Sequence, residues 1–314
     1  MSRAIARRAL RCTSMQPFRF AVQGGPWRDP AATVALARLV ESLGYDELYS
    51  SDHIGGADPY APLTFAAAAT ERISFGPLVL NNEFHHPALL ARTVATADAL
   101  SGGRMILGLG TGYAADEHAA IGLELRPPGP RVDRFEESAA ILRDLLRDGS
   151  CHRSGRHHTI DLDDLGIRPV GRVPILIGGF GRRVVGIGGR YADIFQFTGL
   201  VHAPDGAPTT GGFALADVEQ RATWLTEAAA DRAIERSALV QACFVGDDAP
   251  TASDLAERFE LDEATVADTP FALSGSVEQI VDKLERVRER TGISHYVVRD
   301  PEGFAPVVDA LAGR

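Results

Sequence analysis

The chain is poor in cysteine: Cys12, Cys151 and Cys243 are its only three, widely separated and odd in number. That spacing excludes a disulfide framework and a CxxC metal site, and it fits a reducing cytoplasm. Positive charge is also short, with 32 Lys and Arg against 42 Asp and Glu and a net charge of −10. No basic stripe offsets the acidic surface, so the composition argues against nucleic acid as a partner and for small molecules. No apolar run approaches the roughly 20 residues that cross a bilayer. The start of the chain also lacks the apolar stretch and cleavage site of a signal peptide, so no membrane partner is expected.

What remains is 45% hydrophobic and 24% charged over 314 residues, enough to bury a substantial α/β core and incompatible with disorder as the main state. Residues 1–16, with Arg3, Arg7, Arg8 and Arg11, read as a disordered leader rather than a targeting arm. Residues 17–314 are expected to form one domain, because no linker-like stretch interrupts them.

From Phe18 onward, short apolar runs alternate with stretches of helical period. Strands are expected over Phe18–Gln23, Glu47–Ser50, Ile73–Leu80, Met105–Gly108, Pro174–Ile177, Ile194–Phe197, Leu239–Val245 and His295–Arg299, each followed by a helix. Asp29-Pro30 marks one helix start and Gly44 its stop, while Ser276 and Gln279 form a capping box further on. Repeated strand–helix units close more naturally as a (β/α)8 TIM barrel with insertions than they split in two.

Reactive groups of such barrels sit where strands end and βα loops begin. Asp52 and His53 follow the second strand; the histidine can act as acid or base with Asp52 setting its tautomer, or the pair can be structural. Gly108-Leu109-Gly110-Thr111-Gly112 fails the GxGxxG spacing of a Rossmann loop and follows a fourth strand rather than a first. Gly178-Gly179-Phe180-Gly181-Arg182-Arg183 opens a helix, so its backbone N–H groups and two guanidiniums can cradle a phosphate. Asn81, Asn82, Glu83, His85 and His86 read as a substrate loop or plain surface rather than a metal site, since adjacent histidines do not face one metal ion together. His152, His157 and His158, with Asp161, Asp163 and Asp164, read as solvated surface, and no metal site is expected. The loop Thr198–Gly212 has the length of a lid or binding loop.

The segments ESLGYDELYSSDH, RISFGPLVLNNEFHHPALLARTVATADALSGGRMILGLGTGY, RFEESAAILRDLL, VPILIGGFGRRVVGIGGRYADIFQF and LSGSVEQIVDKLERVRERTGISHYVV, in that order, resemble the luciferase-like monooxygenase superfamily, and within it the coenzyme F420-dependent oxidoreductases. The resemblance runs from Phe18 to the C-terminus and implies a bacterial luciferase-like barrel that pairs as a homodimer. It implies a redox cofactor across the barrel mouth, with its phosphate end at Gly178, Gly179, Phe180, Gly181 and Arg182. The ring would lie near the third strand at Leu78, Val79 and Leu80, where Leu78-Val79 matches a non-prolyl cis bond. Asp52, Gly110, Thr111 and Gly112 would also contact the cofactor. His53 matches an acid or base, helped by Asp52 and Tyr113, while Asn81, His85 and Thr198 would line the substrate loop. Tyr113, however, stands where sugar-phosphate dehydrogenases of this kind have a catalytic Glu, and Thr198-Gly199-Leu200-Val201 lacks their phosphate-binding lysine. The resemblance therefore implies hydride transfer with coenzyme F420 to or from an unidentified small organic substrate, and these two departures disfavour sugar-phosphate oxidation. An FMN-dependent monooxygenase and a barrel that only binds a ligand remain the alternatives.

Overall fold

The computed structural model describes residues 16–202 and 207–314. The arginine-bearing leader therefore lies, up to Met15, outside the described residues. Eight parallel strands form the barrel: β1 (Arg19–Gln23), β2 (Glu47–Ser50), β3 (Ser74–Pro77, resuming at Leu80–Asn81), β4 (Leu107–Gly110), β5 (Ile175–Gly179), β6 (Ile194–Phe197), β7 (Glu235–Leu239) and β8 (His295–Val298). The helices that follow them are α1 (Pro30–Ser42), α2 (Ala61–Ala67), α3 (Pro87–Ser101), α4 (Pro128–Asp148), α5 (Arg182–Tyr191), α6 (Leu215–Ala229), α7 (Val277–Thr291) and α8 (Pro301–Leu311). Pairing runs β3-β2-β1-β8-β7-β6-β5-β4 and then closes, as Leu80 and Asn81 join Leu109 and Gly110 while Phe75 bridges Met105.

The strands are buried on both faces, which explains their nearly continuous apolar runs. Alternate side chains point inward, where Ala21, Tyr49, Leu78, Ile106, Leu176, Ile194 and Val297 pack in the lumen. Their neighbours Phe20, Leu48, Phe75, Leu107, Phe195 and Tyr296 pack under the helices. Helix ends follow local chemistry: Asp29 accepts from Ala32 N at the start of α1, and Ser276 and Gln279 exchange the hydrogen bonds of a capping box on α7. At the amino ends of the strands, Arg19 pairs with Glu47 and, at 2.9 Å, with Glu235. Glu47 lies 2.7 Å from His295 Nε2 and accepts from the Tyr49 hydroxyl. This buried cluster forms the floor of the barrel, opposite the mouth.

Two strand positions differ from expectation. β7 is Glu235–Leu239, whereas Ala242–Val245 pairs with Ala272–Gly275 outside the barrel. Charged residues at the start of β7 hide the strand from an apolar-run criterion: Glu235 is satisfied by Arg19, and Arg236 by the Thr291 carbonyl and hydroxyl of Thr226. β4 starts and ends two residues later than the expected Met105–Gly108, so Leu109 and Gly110 are strand residues rather than a loop.

The His- and Asp-rich excursion is an antiparallel hairpin, Cys151–Ser154 with Thr159–Leu162. His152 is exposed with Asp161, but His158 is buried and not the solvated residue expected. Its Nε2 meets the Ser138 hydroxyl at 3.1 Å, and burial, with Arg134 nearby, pushes its imidazole down to about 4. Among the described residues no helix is long and apolar enough to cross a membrane, and no group of three or more His, Cys, Asp or Glu is placed to hold a metal ion.

Candidate active site

The mouth is built around an interruption of β3. The Leu78-Val79 peptide bond is cis, and Gln23 Nε2 donates to the Leu78 carbonyl at 2.7 Å from across the lumen. Glycines on the neighbouring strands make room for the bulge. A Cβ on Gly108 would run into the Pro77 carbonyl oxygen, and one on Gly110 would stand 2.6 Å from Val79 Cγ2. A Cβ on Gly178 would touch Val79 at 3.5 Å, and one on Gly112, whose φ is +80°, would strike the Asn81 side chain. The glycine series of β4 is thus a steric requirement of the adjacent strand. This steric need stands beside the cofactor contacts expected of Gly110, Thr111 and Gly112. Leu78 faces the lumen, and Leu80, on the far side of the bulge, packs outward beneath the helices.

Beside this bulge the loops after β2 and β4 meet. His53 Nδ1 lies 2.7 Å from Glu117 Oε1, and the other oxygen of Glu117 accepts from Ile54 N at 3.2 Å. Glu117 sits on the short helix Ala115–Ala120. The Tyr113 ring stands edge-on to His53 with centroids 6.2 Å apart, and stacks on His202 at 3.6 Å. Burial, reinforced by Glu117 and Asp116, raises the Tyr113 phenol, so it remains a neutral donor. Burial and the nearby His53 lower the His202 imidazole. The group therefore offers one partly exposed imidazole, one phenol and one imidazole held toward its neutral form.

Asp52 does not set the tautomer of His53. Its Oδ2 accepts from Asn81 N at 2.9 Å and meets His85 Nε2 at 3.2 Å, tying the β2 loop to the end of β3. Asn81 is buried and caps the turn that follows by accepting from Glu83 N. Glu83 in turn pairs with Arg126 at 2.5 Å and Arg134 at 3.0 Å, while Arg134 also donates to the carbonyls of Asn82 and His85. Asn81 and His85 both take part in the loop's own hydrogen bonds.

The third part lies at the end of β5. The first N–H groups of α5 have no side-chain cap, because the N-cap position is Gly181, where a Cβ would meet open space. Such a terminus attracts anions. Arg183 is engaged with Asp133 at 2.5 Å, whereas Arg182 forms no ion pair among the described residues and its guanidinium lies 5.5 Å from the Trp224 ring. Behind the turn, the Arg221 guanidinium stacks 4.6 Å from the Phe180 ring. It donates to the carbonyls of Asp217, Thr198 and Gly212, and burial pulls it down to about 10. Thr198 is thereby fixed through its backbone, and the two ends of the β6 loop are held beside Phe180.

A family model for luciferase-like monooxygenases matches residues 11–211. The chain belongs to this luciferase-like family. Among curated relatives, an F420-dependent glucose-6-phosphate dehydrogenase of Microbacterium testaceum is 33% identical over 164 residues, covering 49% of this chain and 48% of that protein. A 5,10-methylenetetrahydromethanopterin reductase of Archaeoglobus fulgidus is 31% identical over 156 residues, covering 50% of this chain and 46% of the relative. The chain spans about half the length of the curated relatives it matches. In fold, it superposes on the coenzyme F420-dependent tetrahydromethanopterin reductase of Methanopyrus kandleri with a TM-score of 0.72 at 19% identity, covering 94% of this chain and 98% of that one.

Within this luciferase-like barrel, sequence reasoning missed two residues. Glu117 stands in the βα loop region after β4, where any polar side chain merits a functional reading, yet a glutamate on a short helix carries no signal of its own. Arg221 did carry one: it falls on the buried stripe of α6 with Val218, Ala222 and Leu225, where a charged residue is out of place.

Proposed function

We propose that the protein is a coenzyme F420-dependent oxidoreductase that moves a hydride to or from a small organic substrate at the barrel mouth. One observation carries this reading: a proton-bearing side chain, His53, an apolar shelf at Leu78-Val79 and an uncapped helix end beside Arg182 all border that mouth. Those features fit a cofactor with a flat ring and an anionic end. When bound, the deazaflavin supplies hydride chemistry. The chain's own residues orient it, exclude water and carry the accompanying proton. Leu78 and Val79 would support the ring, and the N–H groups after Gly181, with Arg182, would take its phosphate and acidic tail. His53, beside Tyr113, would accept or return the proton, and Thr198 would border the substrate space. The F420-dependent glucose-6-phosphate dehydrogenase that matches about half of this chain supports the same cofactor.

Titration of the purified protein with F420 and with FMN, followed by fluorescence quenching, tests this. We expect binding of F420 without FMN; the reverse would favour an FMN-dependent monooxygenase, and binding of neither would overturn both. The exposed Phe65 on α2 and Leu89 and Leu100 on α3 support pairing with a second copy. Sedimentation of the wild type and of Leu100→Glu tests it: a wild-type monomer would overturn the homodimer. The reducing cytoplasm remains our proposal for its location.

A further inference from the structure

Glu117 is held more firmly than a surface carboxylate needs to be. Its side chain is 16% exposed, and its two oxygens are divided between the His53 ring and the Ile54 amide, which brace the β2 loop from the β4 side. His53 is 45% exposed at the side chain, and among the described residues only its Nδ1 is bonded. An ionised carboxylate can only accept hydrogen bonds. The 2.7 Å contact is satisfied when the Nδ1 atom of His53 donates to Glu117 Oε1. A neutral imidazole protonated at Nδ1 has its lone pair at Nε2.

We propose that Glu117 is the positioning residue of the proton site: it holds the Nδ1 proton of His53 and so presents Nε2 to the barrel mouth as the proton acceptor. The assignment deepens the reading given under Proposed function and rests on it for the chemical step. In the oxidative direction, Nε2 would take the proton leaving the substrate, and the deazaflavin, when bound, would supply the acceptor for the substrate's hydride. The imidazolium so formed keeps its Nδ1 hydrogen bond to a charged partner, and in the reductive direction it returns the proton from Nε2. Asp52, adjacent in sequence, does not fill this place: its Oδ2 accepts from Asn81 N and meets His85, and the contact on His53 Nδ1 is made by Glu117. Tyr113 and His202, stacked at 3.6 Å, form the wall against which the ring stands edge-on.

Nitrogen-15 NMR of the histidine rings reads the tautomer directly and needs neither cofactor nor substrate. The protein has 9 histidines, and the His53 signals are those absent from His53→Gln. In the wild type at a pH where His53 is neutral, we expect the proton on Nδ1. Glu117→Gln keeps the size of the side chain and an oxygen for Ile54 N, and should shift the population toward the Nε2–H form. With F420 and a turned-over substrate, the same variant should lose about tenfold to a hundredfold in kcat while the affinity for F420 stays within about twofold. Identical tautomer populations in the wild type and Glu117→Gln would overturn the proposal. So would Glu117→Gln with full kcat. Failure of the wild type to bind F420 would overturn the cofactor reading instead, and the tautomer result would still decide the role of Glu117.

Discussion

Val79 fills the space that a side chain on Gly110 would need: a Cβ there would stand 2.6 Å from Val79 Cγ2. The same holds one pleat earlier, where a Cβ on Gly108 would meet the backbone oxygen of Pro77 and not a side chain that could swing away. Gly108→Ala should therefore cost about 1–3 kcal/mol of stability by overpacking, and more than Gly110→Ala. Thermal or denaturant unfolding of both variants checks the order; equal stability of Gly108→Ala and wild type would contradict it.

The division of labour at the mouth predicts opposite kinetic signatures. His53→Ala should lower kcat by about 10²–10⁴-fold with little change in cofactor affinity. Arg182→Ala should instead weaken F420 binding with kcat nearly intact at saturation. Steady-state kinetics at several F420 concentrations separates the two, and unchanged parameters for both would contradict the placement.

Arg221 ties three carbonyls together behind the anion-attracting turn. Arg221→Met removes the donors and leaves buried carbonyl oxygens unpaired, each costing about 1–3 kcal/mol. We expect a clear drop in unfolding midpoint together with weaker F420 binding, since Phe180 loses the face it stacks on. A stable variant with wild-type affinity would show that the staple is dispensable.

The barrel floor sets a pH dependence of stability. Burial disfavours the charged forms of His295 and Glu47, but each is outweighed by its partners: Glu47 and Glu235 raise the imidazole, while His295 and Arg19 lower the carboxyl. The contribution of His295 is full below its ordinary value of 6.5 and is lost as pH rises through its raised one. That of Glu47 is full above its ordinary value of 4.5 and is lost as pH falls through its lowered one. Melting temperatures of His295→Gln and wild type should therefore differ most between those two ordinary values and converge on the alkaline side. A difference independent of pH would rule out the ion pair as its source.

The repeated strand and helix are legible in the sequence, because apolar runs, period and capping are local properties: the apolar run of β1, the Asp29-Pro30 start of α1 and the Ser276–Gln279 box are all written within a few residues. It also marked the loops after β2, β3 and β5 as the chemical end. The pairing of the charged groups follows from the closed barrel. Asp52 is adjacent to His53 in sequence yet turns to His85, and Glu117, 64 residues away, takes the ring nitrogen instead. Likewise Glu235 could not be read as strand until Arg19, 216 residues distant, was seen to satisfy it. Even the glycines of β4 took their meaning from Val79 on another strand. Sequence fixes which groups a chain can offer locally, but a carboxylate's partner and a glycine's neighbour depend on closure of the barrel.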